Sequence, residues 1–290
     1  MFRKVFYASF FLFFIVNSWA QDKVSLWKDF DVKHGDEVTM ACYLADNNGD
    51  STSVIICPGG SYYWLDKQCE GEMVARWLQS NGISAFVLHY RTAGFGAFFW
   101  RYRYFFRGRQ HPDMLTDAQR ALQWVKEHDK EYGINKNKVG IMGFSAGGHL
   151  AMSTACFFND NEEVRPAFVA AIYPVVTMED GYAHKRSRRA LLGERRRNNE
   201  TMRDSLSLER HIPNECPPVF IVNCIDDPVV DYHNSVLLDA ALTEKNIEHV
   251  YFQYQTGGHG FGASETKGSE ECRNWKNEFL KWIQDLRFNI

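Results

Sequence analysis

Ser145 stands in Gly143-Phe144-Ser145-Ala146-Gly147, a Gly-x-Ser-x-Gly pentapeptide with an apolar run over 139–144 leading in and small residues leading out. A serine hydroxyl is a weak nucleophile until a base activates it. The chemistry asks for a sharp, strained strand-to-helix turn that lifts the side chain above a sheet, and only small neighbours permit such a turn. Gly and Ser are common in turns, so the pentapeptide alone is a weak signal. The strand before it and the helix after it make it specific, and the helix start favours the negative charge that an attacked carbonyl develops.

A base and an acid must follow. Of ten histidines, His259 alone sits in a Gly-rich turn after the last expected strand, in Gly257-Gly258-His259-Gly260. There a loop can hang an imidazole over the serine. His149, in the helix after the elbow, reads as a packed core histidine, and His89 at a strand end is a weaker competitor. Asp226 and Asp227 lie immediately past another strand. One carboxylate would orient the imidazole and stabilise the imidazolium, while the other would brace the turn. Residue types do not separate the two. Asp231 reads as a helix start. An oxyanion hole needs backbone N–H groups; Ala146 can supply one, and the loop Pro58-Gly59-Gly60-Ser61 places Gly60 and Ser61 to supply others.

The elements that must hold these residues alternate strand, turn and helix. Strands are expected at 24–27, 38–43, 54–57, 83–88, 139–144, 167–173, 219–224 and 250–254. Helices are expected at 66–79, 112–132, 146–157, 236–245 and 274–286. Wholly apolar strands between amphipathic helices imply a mostly parallel sheet covered on both faces. Two stretches break the rhythm: 92–110, where aromatics alternate with Arg101, Arg103, Arg107 and Arg109, and the polar, Arg-rich 177–213. The arginines between 186 and 197 read as a solvated face. The 92–110 aromatics could pack on their own protein or cover a pocket and stack on sugar rings.

Residues 1–20 read as a secretory signal: Arg3 and Lys4, an apolar run over 5–16, then Ser18 and Ala20 in small-x-small spacing. The run is short for a permanent span, and no second one follows. The mature chain, residues 21–290, is expected to form one domain beginning near Gln21, periplasmic or secreted, with no stable membrane insertion. Removing the segment takes two bases and no acid, so the net charge moves from −3 to −5. That balance argues against a nucleic-acid binder. Seven cysteines are an odd number. Cys57 and Cys224 fall inside strands as small hydrophobes. Cys42, Cys69, Cys156, Cys216 and Cys272 lack Cys-x-x-Cys spacing, which argues against zinc.

Taken together, the motifs resemble the exported bacterial esterases related to acetyl xylan esterases, on the α/β-hydrolase fold. The resemblance rests on 57–62, His111-Pro112-Asp113 and the residues to Arg120, the elbow 143–149, 187–193, 217–220, the Asp226–Val230 run with Asn234-Ser235, and 257–262, and it extends over about 36–288. It implies that Asp227, three residues before Val230, is the acid. It also implies cofactor-free cleavage of acyl esters, often acetyl groups on plant polysaccharide, with an acylated carbohydrate as partner. A general carboxylesterase or a feruloyl-type esterase would use the same residues. A serine peptidase would commonly add a propeller or cap domain, and a non-catalytic glycan binder would not need the triad. Two departures stand out: Ser61 replaces a third loop glycine, and 94–110 is longer than the usual connection.

Overall fold

The computed structural model describes residues 22–46, 51–99 and 109–286. The expected signal segment, and residues 100–108 of the aromatic stretch, lie outside them. One sheet of eight strands organises the chain: β1 (Asp22–Ser25), β2 (Thr39–Tyr43), β3 (Ser51–Cys57), β4 (Ser84–His89), β5 (Ile134–Phe144), β6 (Val169–Ile172), β7 (Val219–Cys224) and β8 (His249–Tyr254). Their order is β1-β2-β4-β3-β5-β6-β7-β8. β1 and β2 pair antiparallel with their neighbours, and all later pairings are parallel.

Side chains alternate across this sheet, so each parallel strand feeds two cores. Ile55, Ile141, Ala171 and Ile221 join helices α2 (Asp113–Glu127), α3 (Ala146–Cys156) and α5 (His233–Glu244) on one face. Ile56, Met142, Ala170 and Val222 join α1 (Met73–Ser80) and α6 (Trp275–Asp285) on the other. Burial on both faces is why these strands are continuously apolar. Helix α3 is buried from Ala146 to Ala155, and its polar members His149, Ser153 and Thr154 all find hydrogen-bond partners.

Three expected helices differ at their boundaries, each for a local reason. The helix expected from 66 begins as a wide turn, Gln68–Glu72, closed by Glu72 N–H donating to the Lys67 carbonyl at 2.8 Å. Asp66 Oδ1 accepts from the N–H groups of Gln68 and Cys69. Such π-type turns rotate a side chain out of helical register, and here Glu70 is turned inward. The helix expected over 112–132 breaks at His128, whose ring Nδ1 and backbone N–H both reach the Trp124 carbonyl. A single turn, Asp129–Tyr132, follows and stops at Gly133 with φ 60°. The last helix is preceded by a separate turn, Glu270–Arg273, capped by Ser269 Oγ on Cys272 N–H.

The arginines of 186–197 form a solvated face only in part, with Arg195 exposed and Arg188 buried. The Arg-rich insertion folds into α4 (Lys185–Leu192) and a short helix, Glu200–Ser205. Buried Arg188 donates to the Met178 carbonyl and to Asp180, Arg189 donates to Tyr63 Oη, and Arg196 donates to Gln110 Oε1 and the His111 carbonyl. Arg188 thus braces the insertion internally, and Arg189 and Arg196 clamp it to the body.

Candidate active site

The parallel strands end level with one another: Cys57 pairs with Gly143, Phe144 with Ile172, Ile172 with Val222 and Cys224 with Tyr254. The loops after β3, β5, β7 and β8 therefore emerge along one edge, the carboxyl end where open α/β sheets build their sites.

Ser145 occupies the turn between β5 and α3 with φ 54° and ψ −120°, a conformation costly for a residue with a Cβ. Close packing explains its small neighbours. A Cβ on Gly143 would lie 2.0 Å from the Gly147 carbonyl oxygen, and one on Gly147 would lie 2.0 Å from that of Cys57. His259 Nε2 stands 2.9 Å from Ser145 Oγ, and His259 Nδ1 stands 2.6 Å from Asp227 Oδ2. An ionised carboxylate only accepts, so the Nδ1 proton points at Asp227 and Nε2 is free to accept from the hydroxyl. The Asp227 side chain is 1% exposed.

The two adjacent aspartates part company. Asp227 Oδ1 accepts from the N–H groups of Val229 and Val230 at 2.8 and 2.9 Å, which leaves Oδ2 for the imidazole. Asp226 instead accepts from Gly257 and Gly258 N–H at 3.2 and 2.8 Å, bracing the loop that carries His259. Asp231 accepts from His233 N–H at the start of α5. His149 is buried with both ring nitrogens engaged, by Tyr62 Oη at 2.9 Å and the Leu206 carbonyl at 2.9 Å. Burial holds its pKa down at about 4. His89 closes β4 and pairs with Thr39 of β2, with no bond to the serine or the aspartates.

The loop after β3 lies against the elbow. A Cβ on Gly59 would fall 2.7 Å from the Phe144 carbonyl oxygen and 3.0 Å from Ser145 Cβ. Gly60, Ser61 and Tyr62 all take positive φ, 132°, 56° and 63°, and a Cβ on Gly60 would strike the Trp64 carbonyl oxygen at 2.1 Å. Ala146 is the first residue of α3. The loop that carries Gly60 and Ser61 thus meets the elbow through Gly59, and Ala146 follows Ser145 directly.

Sequence reading missed two residues here. Glu70 is 3% exposed and accepts from Gly59 N–H at 2.7 Å and from Tyr173 Oη at 2.9 Å. Tyr173, at φ 38° after β6, accepts from Gly262 N–H at 3.0 Å, and its ring lies 4.6 Å from that of His259. Glu70 sits in a segment that reads as ordinary helix, and nothing in its neighbours signals that it turns inward. His184 also reaches the rim, where burial first and then Arg186 and His259 hold its pKa down at about 4. On the same rim Phe98 packs edge-on to Tyr63 and Trp64, with centroids 5.5 and 5.6 Å apart, and Arg186 lies over Trp64 at 5.8 Å. Phe95 is 61% exposed. A polar cavity of about 600 Å³ lined by Lys126, Glu162, Arg165 and Glu248 lies at the opposite strand edge and includes none of these groups. No helix among the described residues is long and apolar enough to cross a membrane.

Comparison with known proteins matches this geometry to a family. The BD-FAE family model matches residues 40–242. An acetylxylan esterase of Xylanibacter ruminicola is 32% identical over 77% of this chain, and endo-1,4-beta-xylanase B of Butyrivibrio fibrisolvens is 30% identical over 84%. The chain spans only 43% and 37% of the lengths of those two relatives. Among solved structures, an acetyl ester-xyloside bifunctional hydrolase from Caldicellulosiruptor lactoaceticus superposes with TM-score 0.78 at 29% identity, covering 91% of this chain and 96% of that one. An alpha/beta hydrolase from a deep-sea metagenome library shares the fold, with TM-score 0.68 at 22% identity over 91% of this chain and 96% of its own. The strand order, the elbow at Ser145 and the family match together identify this chain as an α/β-hydrolase of the BD-FAE family.

Proposed function

We propose that this protein is a serine carboxylic-ester hydrolase that removes acyl groups, acetyl first among them, from xylan-type carbohydrate. The observation that carries the reading is the unbroken run Asp227 Oδ2, His259, Ser145 Oγ at 2.6 and 2.9 Å beside the Gly59–Ser61 loop. In this mechanism Ser145 Oγ attacks the ester carbonyl as His259 Nε2 takes its proton. Gly60, Ser61 and Ala146 N–H groups meet the oxyanion. The C–O bond to the sugar then breaks and the alkoxide leaves with the proton from His259. Water attacks the acyl-Ser145 by the same route, releasing the acid and restoring the hydroxyl. No cofactor enters these steps.

The carbohydrate assignment leans on the relatives, whose names include an acetylxylan esterase and an acetyl ester-xyloside hydrolase. Trp64 and the exposed ring of Phe95 beside the site suit stacking on sugar rings. Export is part of the proposal and rests on the basic, apolar and small-residue layout of 1–20; N-terminal sequencing of the mature protein tests it, with a start near Gln21 expected.

The test is acetate release from acetylated xylo-oligosaccharides beside a small chromogenic acetate ester. Ser145→Ala should abolish both activities. Asp227→Asn should cost about 10⁴-fold in kcat, as loss of the orienting carboxylate does in serine hydrolases, whereas Asp226→Asn should cost far less. Turnover of the small ester alone would remove xylan and leave a general esterase. Undiminished turnover by Ser145→Ala would sink the mechanism.

A further inference from the structure

A buried carboxylate that no step above uses lies under the site. Glu70 has no cation hydrogen-bonded to it among the described residues; its partners are Gly59 N–H and Tyr173 Oη. Every donor in this network points toward it. Gly262 N–H donates to Tyr173 Oη, Tyr173 donates to Glu70 Oε1, and Gly59 donates to Glu70 Oε2. Gly59 belongs to the loop that would bind the oxyanion, and Gly262 to the loop that carries His259. The same turn touches that loop a second time, since Ala263 N–H donates to the Cys69 carbonyl and a Cβ on Gly262 would lie 2.3 Å from that oxygen. Trp275 Nε1–H fixes the Gly262 carbonyl from α6 at 3.0 Å.

Building on the esterase reading, we infer that ionised Glu70 is a positioning residue that holds the oxyanion loop and the His259 loop in register and steadies the imidazolium through Tyr173. The directional chain requires an acceptor on both carboxyl oxygens. Protonation puts a hydrogen on one of them, which reverses the Tyr173 bond or weakens the Gly59 bond. It also removes a negative charge that acts on His259 in a site of low dielectric, where such charges count.

The groups facing this carboxyl set its ionisation. Burial is the largest influence and pushes its pKa up to about 6; His259, Tyr173 and Gly59 N–H draw it down, and Asp66 pushes it up. Tyr90 and Lys267 complete the charged and titratable surroundings. Proton uptake thus falls in the range where a hydrolase with an imidazole base loses activity. The acid limb of activity should include the proton that Glu70 takes up.

Steady-state kinetics with the small acetate ester test this, using the full chain and the variants Glu70→Gln and Tyr173→Phe, with Ser145→Ala as the blank. Glu70→Gln keeps the shape and an acceptor for Gly59 but no charge. Its kcat should fall roughly ten- to a hundredfold, below the loss typical of deleting an oxyanion donor outright, with KM within about threefold of wild type. Around pH 6 the slope of log kcat/KM against pH should exceed one in the wild type and stay at one in the variant. Tyr173→Phe should lower kcat in the same sense, and circular dichroism reports whether either variant is folded. Wild-type kcat with an unchanged acid limb in a folded Glu70→Gln would overturn the inference, as would a kcat loss matched wholly by loss of folded protein. Absence of ester turnover in the wild type would overturn the esterase reading and this inference with it.

Discussion

Two carboxylates are buried in this molecule at comparable depth, and their surroundings differ in kind. Asp117, on α2, is 0% exposed and meets Arg91 through bonds from Nε and Nη2 and from the backbone N–H, with Trp27 Nε1–H added at 2.9 Å. Arg91 spends its remaining donors on the Lys33 and Asp113 carbonyls. That cluster closes on itself: charge meets charge, Nε, Nη1 and Nη2 all donate, and β4 is locked to α2 and to the segment before β2. Glu70 meets only neutral donors and shares its field with His259. A buried charge met by a counter-charge is architecture, even though burial raises the pKa of Asp117 as it does that of Glu70. One left partly compensated beside an imidazole responds to its protonation state, and perturbed carboxyls of this kind gather at functional sites.

The comparison breaks most readily at Asp117. Replacing it by Asn leaves Arg91 buried without its counter-charge and should cost about 3 kcal/mol, the lower end for breaking a buried pair because Asp113 lies 3.7 Å from Arg91 Nη1. Urea denaturation measures this, and kcat per folded molecule should stay at the wild-type value. A stability loss well under 1 kcal/mol would remove the distinction between the two clusters.

The next effect is smaller and has a definite sign. Glu70 titrates at about 6 in the folded chain against an ordinary 4.5. The folded state therefore prefers its protonated form. The stability this contributes is fully present below pH 4.5 and is lost as the pH rises through 6, about 2 kcal/mol in all. Wild type and Glu70→Gln should accordingly diverge between pH 5 and pH 7.5, with the variant gaining relative stability at the higher pH. Parallel curves would mean that burial does not raise the Glu70 pKa.

The smallest expected effect sharpens the Asp117 side. Trp27→Phe keeps the aromatic packing and deletes one donor to a charged acceptor, which should cost about 1.5 kcal/mol. A shift in the denaturation midpoint at unchanged slope would show it, and no shift would mean that Arg91 alone suffices.

Much of this molecule was legible in the chain. The period-2 alternation of Val54, Ile55 and Ile56 does not show in a wholly apolar run, yet that run itself signalled burial on both faces. Ser145, His259 and the Asp226-Asp227 doublet were readable because a nucleophile elbow needs glycines on both sides and because loops after strands are where such groups are displayed. The helix expected over 112–132 ran too long because periodicity says nothing of a His128 ring competing for the Trp124 carbonyl. The arginines of 186–197 looked solvated because their acceptors, Tyr63 Oη, Gln110 and the Met178 carbonyl, are remote or unpredictable backbone positions.

What the sequence determined by itself is therefore the order of elements and the identities that strained turns permit, since those follow from local sterics and from patterns a few residues long. Residue types do not separate Asp226 from Asp227, and the family resemblance favours Asp227 without a physical reason; the tertiary structure supplies one, in the backbone N–H groups each side chain meets and in the imidazole that only Asp227 reaches. It likewise decided that Glu70 turns inward to join two loops that lie far apart in sequence. That contact exists only once eight strands bring the ends of β3, β6 and β8 to one edge, and no local pattern encodes it.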